Sequence, residues 1–528
     1  MVNNLLDFEA NHHIERSADV CIVGGGTAGL YLAQSLVKKN IKVILVELGG
    51  EATLDAKKSF KEPIFTKDNY LGAQLGRVSG LGGTSSKWGG QMITLAKSDF
   101  LYSNTESGEP LWPIDFKELE KYYEEVAKTL KIFDPKGYKI SDSSVGDLVA
   151  RSNLNESFEL RESSWIPFRG RNFSKGFRRV ITKSGLLEIW LNCKLSSFTE
   201  ATWDGSTLKT LSFEGDEQRR LAVSSAVFVL TMGALETTKT VMSLEKFWKP
   251  FGERGQPFCD HISVCVGEMI IKRRSLFLSY FSPFFTSGIM KSLRFELNEK
   301  SQKDLKMRSA FVHFVTVHKS GSALDLIRTL ARKFQGENIS FPFKKINIFE
   351  VISDLFRIFW WRAVKGKLLL NHGGKIRILV DIEQEPNLEN RVFCTPRSGY
   401  ELSWSVRSND KKAVEKAAKR FESAWNSSPA LSALADVQIF ESRELSAANY
   451  YDVYHPTGSL PMGSSPDNSV LDKNLRVWCA TNLYVSSTAV FPTGGSANPG
   501  YTHLALTERL SCHLQAHIKS SCSNVVHE

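Results

Sequence analysis

The segment VCIVGGGTAG, residues 20–29, is a short apolar run that ends in a cluster of glycines. Beyond it, apolar residues recur at helical spacing as far as Val37. This order predicts a strand, a tight turn and a helix. A second apolar run, residues 43–46, ends in Glu47. The whole pattern therefore predicts a βαβ unit with an acidic residue at the tip of its second strand.

The glycine spacing in this unit is typical of a site for a dinucleotide cofactor. Gly24 permits the tight turn, Gly26 lets the backbone approach a pyrophosphate, and Gly29 lets the helix pack closely on the strand. Thr27 and Ala28 begin the helix, whose free N–H groups and partial positive charge attract phosphates. The alternative is a tight turn with no ligand.

Glu47 is the predicted partner of the ribose in such a site, because its carboxylate can accept hydrogen bonds from the ribose hydroxyls. The βαβ unit alone does not distinguish FAD from NAD.

A second glycine-rich segment, GLGGTSSKWGGQ at residues 80–91, places a tryptophan among five glycines. A flexible linker would contain Gly and Ser without a bulky side chain such as Trp88. We therefore expect a backbone that packs closely against a flat partner, with Thr84 and Ser85 offering hydroxyl groups for polar contacts. A purely structural loop is the alternative.

The composition limits the function classes. The chain has 528 residues, enough for two to four domains, and its 42% hydrophobic and 23% charged content is typical of soluble globular proteins. No secretory leader or membrane-spanning run is recognised, so a cytoplasmic location is expected. The eight cysteines lack metal-binding spacing. We therefore expect reduced thiols and no metal site.

Five segments, spread over most of the chain, resemble the glucose-methanol-choline (GMC) family of FAD-dependent oxidoreductases. They are GLGGTSSKWGG at 80–90, FVLTMGALET at 228–237, CDH at 259–261, YHPTGSLPMG at 454–463 and SANPGYTH at 496–503. The resemblance implies FAD rather than NAD as the cofactor. It also implies an oxidoreductase that acts on the CH–OH group of an alcohol.

Within that family, the chain most resembles the pyranose oxidases and the sugar or polyol dehydrogenases. The matching segments are LWPI at 111–114, EQEPN at 383–387 and FPTGGSANPG at 491–500. The expected substrate is therefore an alcohol group of a sugar, a polyol or a sugar-bearing metabolite. In pyranose oxidases a His just before the Trp tethers the flavin, but Lys87 stands there in this chain. We therefore expect non-covalent FAD.

Alcohol oxidation needs a group that takes the hydroxyl proton while FAD takes the hydride. The resemblance implies that His455 is this base and that Asn498 steadies the substrate oxygen. Asn498 and Pro499 are expected to begin the last helix, whose positive end faces the flavin. Cofactor contacts are expected from a larger set of residues: Gly24, Gly26, Thr27, Ala28, Gly29, Glu47, Gly82, Gly83, Thr84, Ser85, Trp88, Leu195, Ser487, Asn498, Pro499 and Thr502.

The predicted fold class is α/β, with a Rossmann-like FAD-binding domain and an α+β substrate domain built on an antiparallel sheet. The FAD-binding domain is expected to be discontinuous, over residues 1–105, 191–262 and 447–528. Residues 106–190 and 263–446 are expected to form the substrate domain. A non-redox flavoprotein such as a lyase, and a membrane-associated binding protein, are the alternatives to an alcohol oxidoreductase.

The net charge of +10 has a local origin. Residues 303–377 contain 15 Lys or Arg and 5 Asp or Glu, and no recognisable nucleic-acid-binding module. We therefore predict a basic insertion near 303–377 and no nucleic-acid partner.

Within this insertion, residues 344–367 predict an amphipathic helix with Ile348, Ile352, Leu355 and Phe359 on one face. The favoured interpretation is a helix that covers the substrate cleft. The alternative is a peripheral contact with an anionic membrane or with an electron acceptor, which the sequence does not identify.

Overall fold

The computed structural model describes residues 1–525 except 103–109, 134–140, 197, 199, 245–255, 318–321, 336–347, 370–373 and 396–398. The strands in chain order are β1 (Val2–Asn4), β2 (His13–Val23), β3 (Val43–Val46), β4 (Leu54–Asp55), β5 (Ile64–Phe65), β6 (Val78–Ser79), β7 (Gln91–Met92), β8 (Phe158–Trp165), β9 (Leu187–Leu191), β10 (Lys194–Leu195), β11 (Thr202–Asp204), β12 (Thr207–Glu214), β13 (Arg220–Leu230), β14 (Gln256–Pro257), β15 (His261–Ile271), β16 (Phe284–Thr286), β17 (Ile289–Leu297), β18 (Ala310–Thr316), β19 (Ile376–Glu383), β20 (Arg391–Thr395), β21 (Gly399–Ser403), β22 (Ala435–Ile439), β23 (Tyr451–Asp452) and β24 (Leu483–Val485).

The α-helices in chain order are α1 (Thr27–Lys38), α2 (Ala56–Ser59), α3 (Leu71–Leu75), α4 (Phe116–Leu130), α5 (Ser143–Ala150), α6 (Phe173–Gly176), α7 (Arg178–Lys183), α8 (Gly233–Met242), α9 (Arg274–Phe281), α10 (Glu299–Leu305), α11 (Ala323–Gln335), α12 (Ile348–Lys365), α13 (Ser408–Asn426), α14 (Pro429–Ser432), α15 (Ser442–Ala447) and α16 (Gly500–Val525). None of the described helices combines the length and the apolar character needed to cross a bilayer.

The first large sheet has a parallel centre. Its strands lie in the order β1-β9-β3-β2-β13-β12-β10, and β24 runs parallel to the second half of β13. The runs 20–23, 43–46 and 227–230 are almost entirely buried. Continuous apolar runs of this kind are what a parallel sheet with both faces covered requires. The structure thus confirms the predicted Rossmann-like βαβ unit, with α1 between β2 and β3.

The second large sheet is antiparallel, in the order β22-β15-β19-β18-β17-β8-β7. Its pleat separates two kinds of side chain. Phe158, Phe295 and Phe314 point to the face that packs on Phe421 and Trp425 of α13. Because side chains alternate along a strand, their neighbours in β8, β17 and β18 point to the opposite face. That face is polar, and it borders the candidate active site.

The predicted basic insertion overlaps the second sheet. β18 and the start of β19, which lie within the 303–377 segment, are neighbours in that sheet. The connection between these two strands contains α11 and α12. The domain boundaries expected from the sequence stay a prediction.

Candidate active site

The turn between β2 and α1 is shaped by contacts that only glycine allows. Gly24 has φ +110°, and a Cβ there would lie 2.8 Å from the Thr231 carbonyl oxygen. A Cβ on Gly29 would lie only 1.9 Å from the Gly24 carbonyl oxygen. Gly26 differs, because a Cβ there would meet nothing within 4 Å. No side chain caps the start of α1 at Gly26. The open backbone and uncapped N–H groups fit a pyrophosphate.

Glu47 joins this turn to two other loops. Its buried carboxylate accepts the backbone N–H of Gly25 through Oε2, at 2.6 Å. Oε1 accepts the N–H of Gly49 at 2.9 Å and that of Gly80 at 2.8 Å. This structural role was not predicted. The ribose contact of Glu47 stays a prediction, and a carboxylate has acceptor sites beyond these three bonds.

The 80–91 segment lies directly against the same turn. The Gly82 N–H donates to the Gly25 carbonyl oxygen at 2.9 Å. A Cβ on Gly83 would lie 2.8 Å from the Gly26 Cα. The segment is therefore a packed wall beside the proposed pyrophosphate site, as the glycines indicated, and not a flexible linker.

The two predicted hydroxyl contacts in this wall differ. Thr84 Oγ1 lies 3.3 Å from Thr27 Oγ1 and is exposed at the start of α1. Ser85 is fully buried, where its hydroxyl donates to the Gly82 carbonyl oxygen at 2.6 Å and accepts the Phe173 N–H at 3.0 Å. Thr84 is thus placed to reach a ligand at the turn, whereas the Ser85 hydroxyl holds the loop.

Trp88 links the wall to the last helix. Its Nε1 donates to the Arg171 carbonyl oxygen at 2.8 Å, and its ring lies 3.2 Å from the position of a Cβ on Gly500. Lys87, at the position of the flavin-tethering His of pyranose oxidases, forms an ion pair with Asp55.

The last helix begins where the sequence predicted. α16 starts at Gly500, and the His503 N–H donates to the Pro499 carbonyl oxygen at 2.8 Å. The residues before it, 494–498, pack beside the start of β15. A Cβ on Gly494 would lie 3.4 Å from His261 Nε2 and 3.3 Å from Thr457 Oγ1. The two predicted catalytic segments, around His455 and Asn498, therefore meet at His261.

Three other predicted cofactor residues have local roles in the structure. The Thr502 hydroxyl lies 2.7 Å from the Tyr123 hydroxyl, and the Ser487 hydroxyl accepts the Ala489 N–H at 3.0 Å. Both side chains are fully buried. Leu195 lies in the short edge strand β10. Their contacts with the cofactor stay predictions.

His455 is held by a buried acid. Its backbone N–H donates to both carboxylate oxygens of Asp260, at 3.0 and 2.9 Å, and the Tyr70 hydroxyl also donates to Asp260. The residue before it, Tyr454, has φ +64°, an unusual conformation for a bulky side chain. His455 Nδ1 lies 3.2 Å from His261 Nδ1. The imidazole is therefore fixed at its backbone and at one ring nitrogen.

Both imidazoles of this pair are neutral at physiological pH. Burial first, and the neighbouring His261 second, lower the pKa of His455 to about 3. Burial also lowers the pKa of His261 to about 4. The pKa of Asp260 is raised, first by burial and then by the nearby Asp452. A neutral imidazole has one ring nitrogen free to accept a proton.

Asn498 is joined to the polar face of the second sheet. Its Nδ2 donates to Gln91 Oε1 at 3.4 Å, and Gln91 Nε2 donates to Ser163 Oγ at 2.8 Å and to Ser292 Oγ at 3.3 Å. The bond from Asn498 is long, so its amide can turn to a substrate oxygen at small cost.

A buried charged network on this same face was missed by the sequence reasoning. Arg294 Nη2 donates to Glu296 Oε2 at 2.8 Å, Arg161 Nη1 to the same oxygen at 3.0 Å, and Arg294 lies 4.1 Å above the Phe311 ring. Burial acts to raise the pKa of Glu296, but the two arginines outweigh it and the pKa falls below its ordinary value. Asp381, 3.2 Å from His313, belongs to the same face. The alternation of β17, with Arg294 and Glu296 separated by an apolar residue, was the available signal.

A GMC oxidoreductase family model matches residues 394–507. The whole fold is similar to two solved structures: pyridoxine 4-oxidase from Mesorbium loti, with a TM-score of 0.58 and 15% identity over 94% of this chain and 99% of that one, and formate oxidase from Aspergillus oryzae RIB40, with a TM-score of 0.58 and 15% identity over 97% of this chain and 100% of that one. Residues 394–507 are therefore similar to the GMC oxidoreductases, and the whole chain shares their fold. The resemblance inferred from the sequence segments is thereby confirmed.

Curated sequence relatives match the chain over shorter stretches. Choline oxidase from Arthrobacter globiformis is 31% identical over 133 residues, which are 24% of this chain and 23% of that protein. The fructose dehydrogenase large subunit from Gluconobacter japonicus is 24% identical over 161 residues, 24% of this chain and 30% of that protein. The chain thus matches about a quarter of the length of these relatives.

The similarity to the GMC oxidoreductases confirms the expectation of FAD as the cofactor. The open backbone at Gly26 and the wall at 80–91 are the surfaces that fit it. In the part of the chain that the structure describes, no group of three or more His, Cys, Asp or Glu side chains is placed to hold a metal ion.

The lowered histidine pKa values predict a loss of stability in acid. Burial lowers the pKa of His503 from 6.5 to about 4. Between these two pH values His503 is protonated in the unfolded chain and neutral in the folded protein. Its contribution is therefore present above about pH 6.5 and is lost as the pH falls to about 4, by at most ~1.4 kcal/mol per pH unit. Burial raises the pKa of Asp452 to about 6, so the contribution of Asp452 to stability changes with pH in the opposite direction.

A comparison of His503→Gln with the unsubstituted protein separates the contribution of His503 from those of other titrating groups. We expect His503→Gln to flatten the fall of Tm in this pH window relative to the unsubstituted protein. The measurement is thermal unfolding at a series of pH values. An equal slope in both proteins would contradict a buried neutral His503.

Proposed function

We propose that this protein oxidises an alcohol group of a sugar, a polyol or a sugar-bearing metabolite. The observation that carries the proposal is the half-buried, neutral His455, fixed beside His261 where the two predicted catalytic segments approach each other. FAD supplies the hydride acceptor, the flavin N5. The chain must then supply the acceptor for the hydroxyl proton.

His455 is the proposed base. Only one of the two Nδ1 atoms in the His455–His261 pair can donate to the other when both rings are neutral. We infer that His455 Nδ1 donates, which leaves His455 Nε2 as the free acceptor for the substrate proton. Burial disfavours the imidazolium that results, so its positive charge must be balanced by the negative charge that develops on the substrate oxygen as the proton leaves.

Asn498 is the proposed partner of the substrate oxygen. Its Nδ2 is a donor, and a donor aimed at an oxygen that gains charge in the transition state lowers the barrier. The start of α16 two residues later adds a partial positive charge in the same region.

The polar sheet face supports a polyhydroxylated substrate. Gln91, Ser163 and Ser292 form connected hydrogen bonds beside Asn498, and the Trp165 Nε1 donates to Ser292 Oγ at 2.9 Å. Donors and acceptors of this kind match the hydroxyl groups of a sugar or polyol. An apolar alcohol would leave them without hydrogen-bond partners. A sugar is also the substrate named for fructose dehydrogenase, one of the two relatives.

An anaerobic screen tests the proposal. The purified yellow protein is mixed with sugars and polyols, and with choline, formate and pyridoxine for comparison, while the flavin absorbance is recorded. Bleaching by a sugar or polyol supports the proposal. Bleaching by only one of the comparison compounds overturns the substrate class. An unchanged spectrum with every compound supports the non-redox alternative. Admission of oxygen then distinguishes an oxidase, which recolours fast, from a dehydrogenase.

Non-covalent FAD is a separate expectation. Since Lys87 pairs with Asp55 and offers no imidazole to the flavin, acid precipitation should leave the yellow colour in the supernatant. A yellow pellet after precipitation would contradict it.

A further inference from the structure

The helix α12 is oriented with an apolar face outward. Its inner side contacts the protein core through Ile358 and Trp361. Its outer side presents seven large apolar side chains, which are between 43% and 86% exposed: Phe349, Ile352, Leu355, Phe356, Phe359, Trp360 and Val364. The predicted stripe of Ile352, Leu355 and Phe359 therefore faces solvent and covers no cleft. The favoured interpretation of the sequence is wrong for these described residues.

The neighbouring helix continues the same surface. α11 packs against α12 and adds Ile327 and Leu330, which are 39% and 44% exposed. We call these nine side chains the α11–α12 surface. Nine exposed large apolar side chains on two helices that pack together mark a contact site.

Exposed cations accompany this surface. Arg328 on α11 and Arg357 and Lys365 on α12 are exposed, and Arg357 Nη1 lies at the long distance of 4.0 Å from Asp354 Oδ1. The sequence of the whole 303–377 segment carries an excess of ten positive charges, 15 minus 5. Aromatic and aliphatic side chains flanked by Lys and Arg are the combination that binds the boundary of an anionic bilayer.

We propose that the α11–α12 surface docks on the surface of an anionic lipid bilayer. The aromatic side chains enter the boundary between headgroups and acyl chains, where Trp and Phe are favoured, and the three cations contact anionic headgroups. Anionic lipid fits better than a second copy of the chain, because two such basic surfaces repel each other across an interface.

The connection that carries the α11–α12 surface leaves the second sheet at the end of β18 opposite to the catalytic histidines. The 317–375 connection leaves β18 after Thr316 and returns to β19 at Ile376. The opposite end of β18 is the one that meets the active-site loop, where Ser309 Oγ lies 2.8 Å from Ser496 Oγ. Substitutions on the α11–α12 surface are therefore expected to leave FAD content and flavin reduction unchanged.

Vesicle flotation tests the proposal, with vesicles of phosphatidylcholine alone and of phosphatidylcholine mixed with phosphatidylserine. The holoenzyme should float with the mixed vesicles. The double variant Phe356→Ser/Phe359→Ser should bind them at least roughly tenfold more weakly. A matched control, Ile64→Ser/Leu101→Ser, removes two apolar side chains that are 52% and 66% exposed elsewhere and should bind as the holoenzyme does.

A second double variant tests the proposed contact between the cations and anionic headgroups. Arg357→Glu/Lys365→Glu should lose the preference for phosphatidylserine, and added salt should weaken the binding of the unsubstituted protein. The proposal is overturned if the holoenzyme floats with neither vesicle, or if Phe356→Ser/Phe359→Ser floats as well as the control. A dimer in light scattering that this variant converts to a monomer, without any vesicle binding, would instead identify a second copy as the occupant.

Discussion

His455→Ala should retain bound FAD yet lose reduction of the flavin by substrate. The expected loss is roughly 10²–10⁴-fold, the range typical of a general base. FAD binding and folding should survive because the bonds that hold this position to Asp260 come from the backbone N–H, which alanine keeps. The rate of anaerobic bleaching in a stopped-flow instrument measures the effect.

His261→Asn is the informative comparison for this variant. Its side chain contacts the Nδ1 of His455 and takes no proton from substrate in our proposal, so it is a positioning residue. Its removal should slow bleaching less than His455→Ala does and should change the pH dependence of bleaching, since the proton position on His455 is no longer fixed. Unchanged bleaching in His455→Ala would remove His455 from the mechanism, whatever His261→Asn does.

Gly29→Ala should yield a protein that is strongly destabilised and holds no FAD. The added methyl group would lie 1.9 Å from the Gly24 carbonyl oxygen and 2.8 Å from Thr231 Oγ1. Neither oxygen can move away, because Gly24 belongs to the tight turn and the Thr231 hydroxyl donates to the Gly24 carbonyl oxygen at 2.7 Å. Overpacking of this kind costs ~3 kcal/mol or more, which thermal unfolding measures.

Gly26→Ala is the matched control, because the same methyl group, added three positions earlier in the chain, would meet no atom within 4 Å. The apo-protein should unfold at an unchanged temperature. Its affinity for FAD should fall roughly tenfold or more, because the methyl group lies where the backbone must approach the pyrophosphate. Full affinity in Gly26→Ala would place the pyrophosphate elsewhere, and normal stability in Gly29→Ala would contradict the packing at the turn.

Sequence reasoning was most successful where structure depends on neighbours along the chain. The βαβ unit, the packed glycine wall and the start of α16 each follow from local spacing and from the steric freedom of glycine. The network of Arg161, Arg294 and Glu296 depends on how β8 and β17 pair, with Arg161 opposite Arg294. A pairing register between strands that lie over a hundred residues apart is not contained in either strand alone.

The orientation of α12 shows a second limit. The helical periodicity identified an apolar stripe correctly, but Ile358 and Trp361 on the other side are apolar as well. A helix with two apolar sides can pack on the core through either side, and contacts with residues distant in the sequence decide between them. Periodicity measures how residues are grouped around a helix and contains no information on which group faces inward.

The three hydrogen bonds that the Glu47 carboxylate accepts from backbone N–H groups determine how the cofactor is acquired. They connect Gly25, Gly49 and Gly80 through protein atoms alone, so both walls of the site keep their positions before FAD arrives. Little chain entropy is then lost when the cofactor binds, and little rearrangement precedes it. The polypeptide can complete its folding first and take up FAD afterwards, which makes the apo-protein a stable stage in assembly.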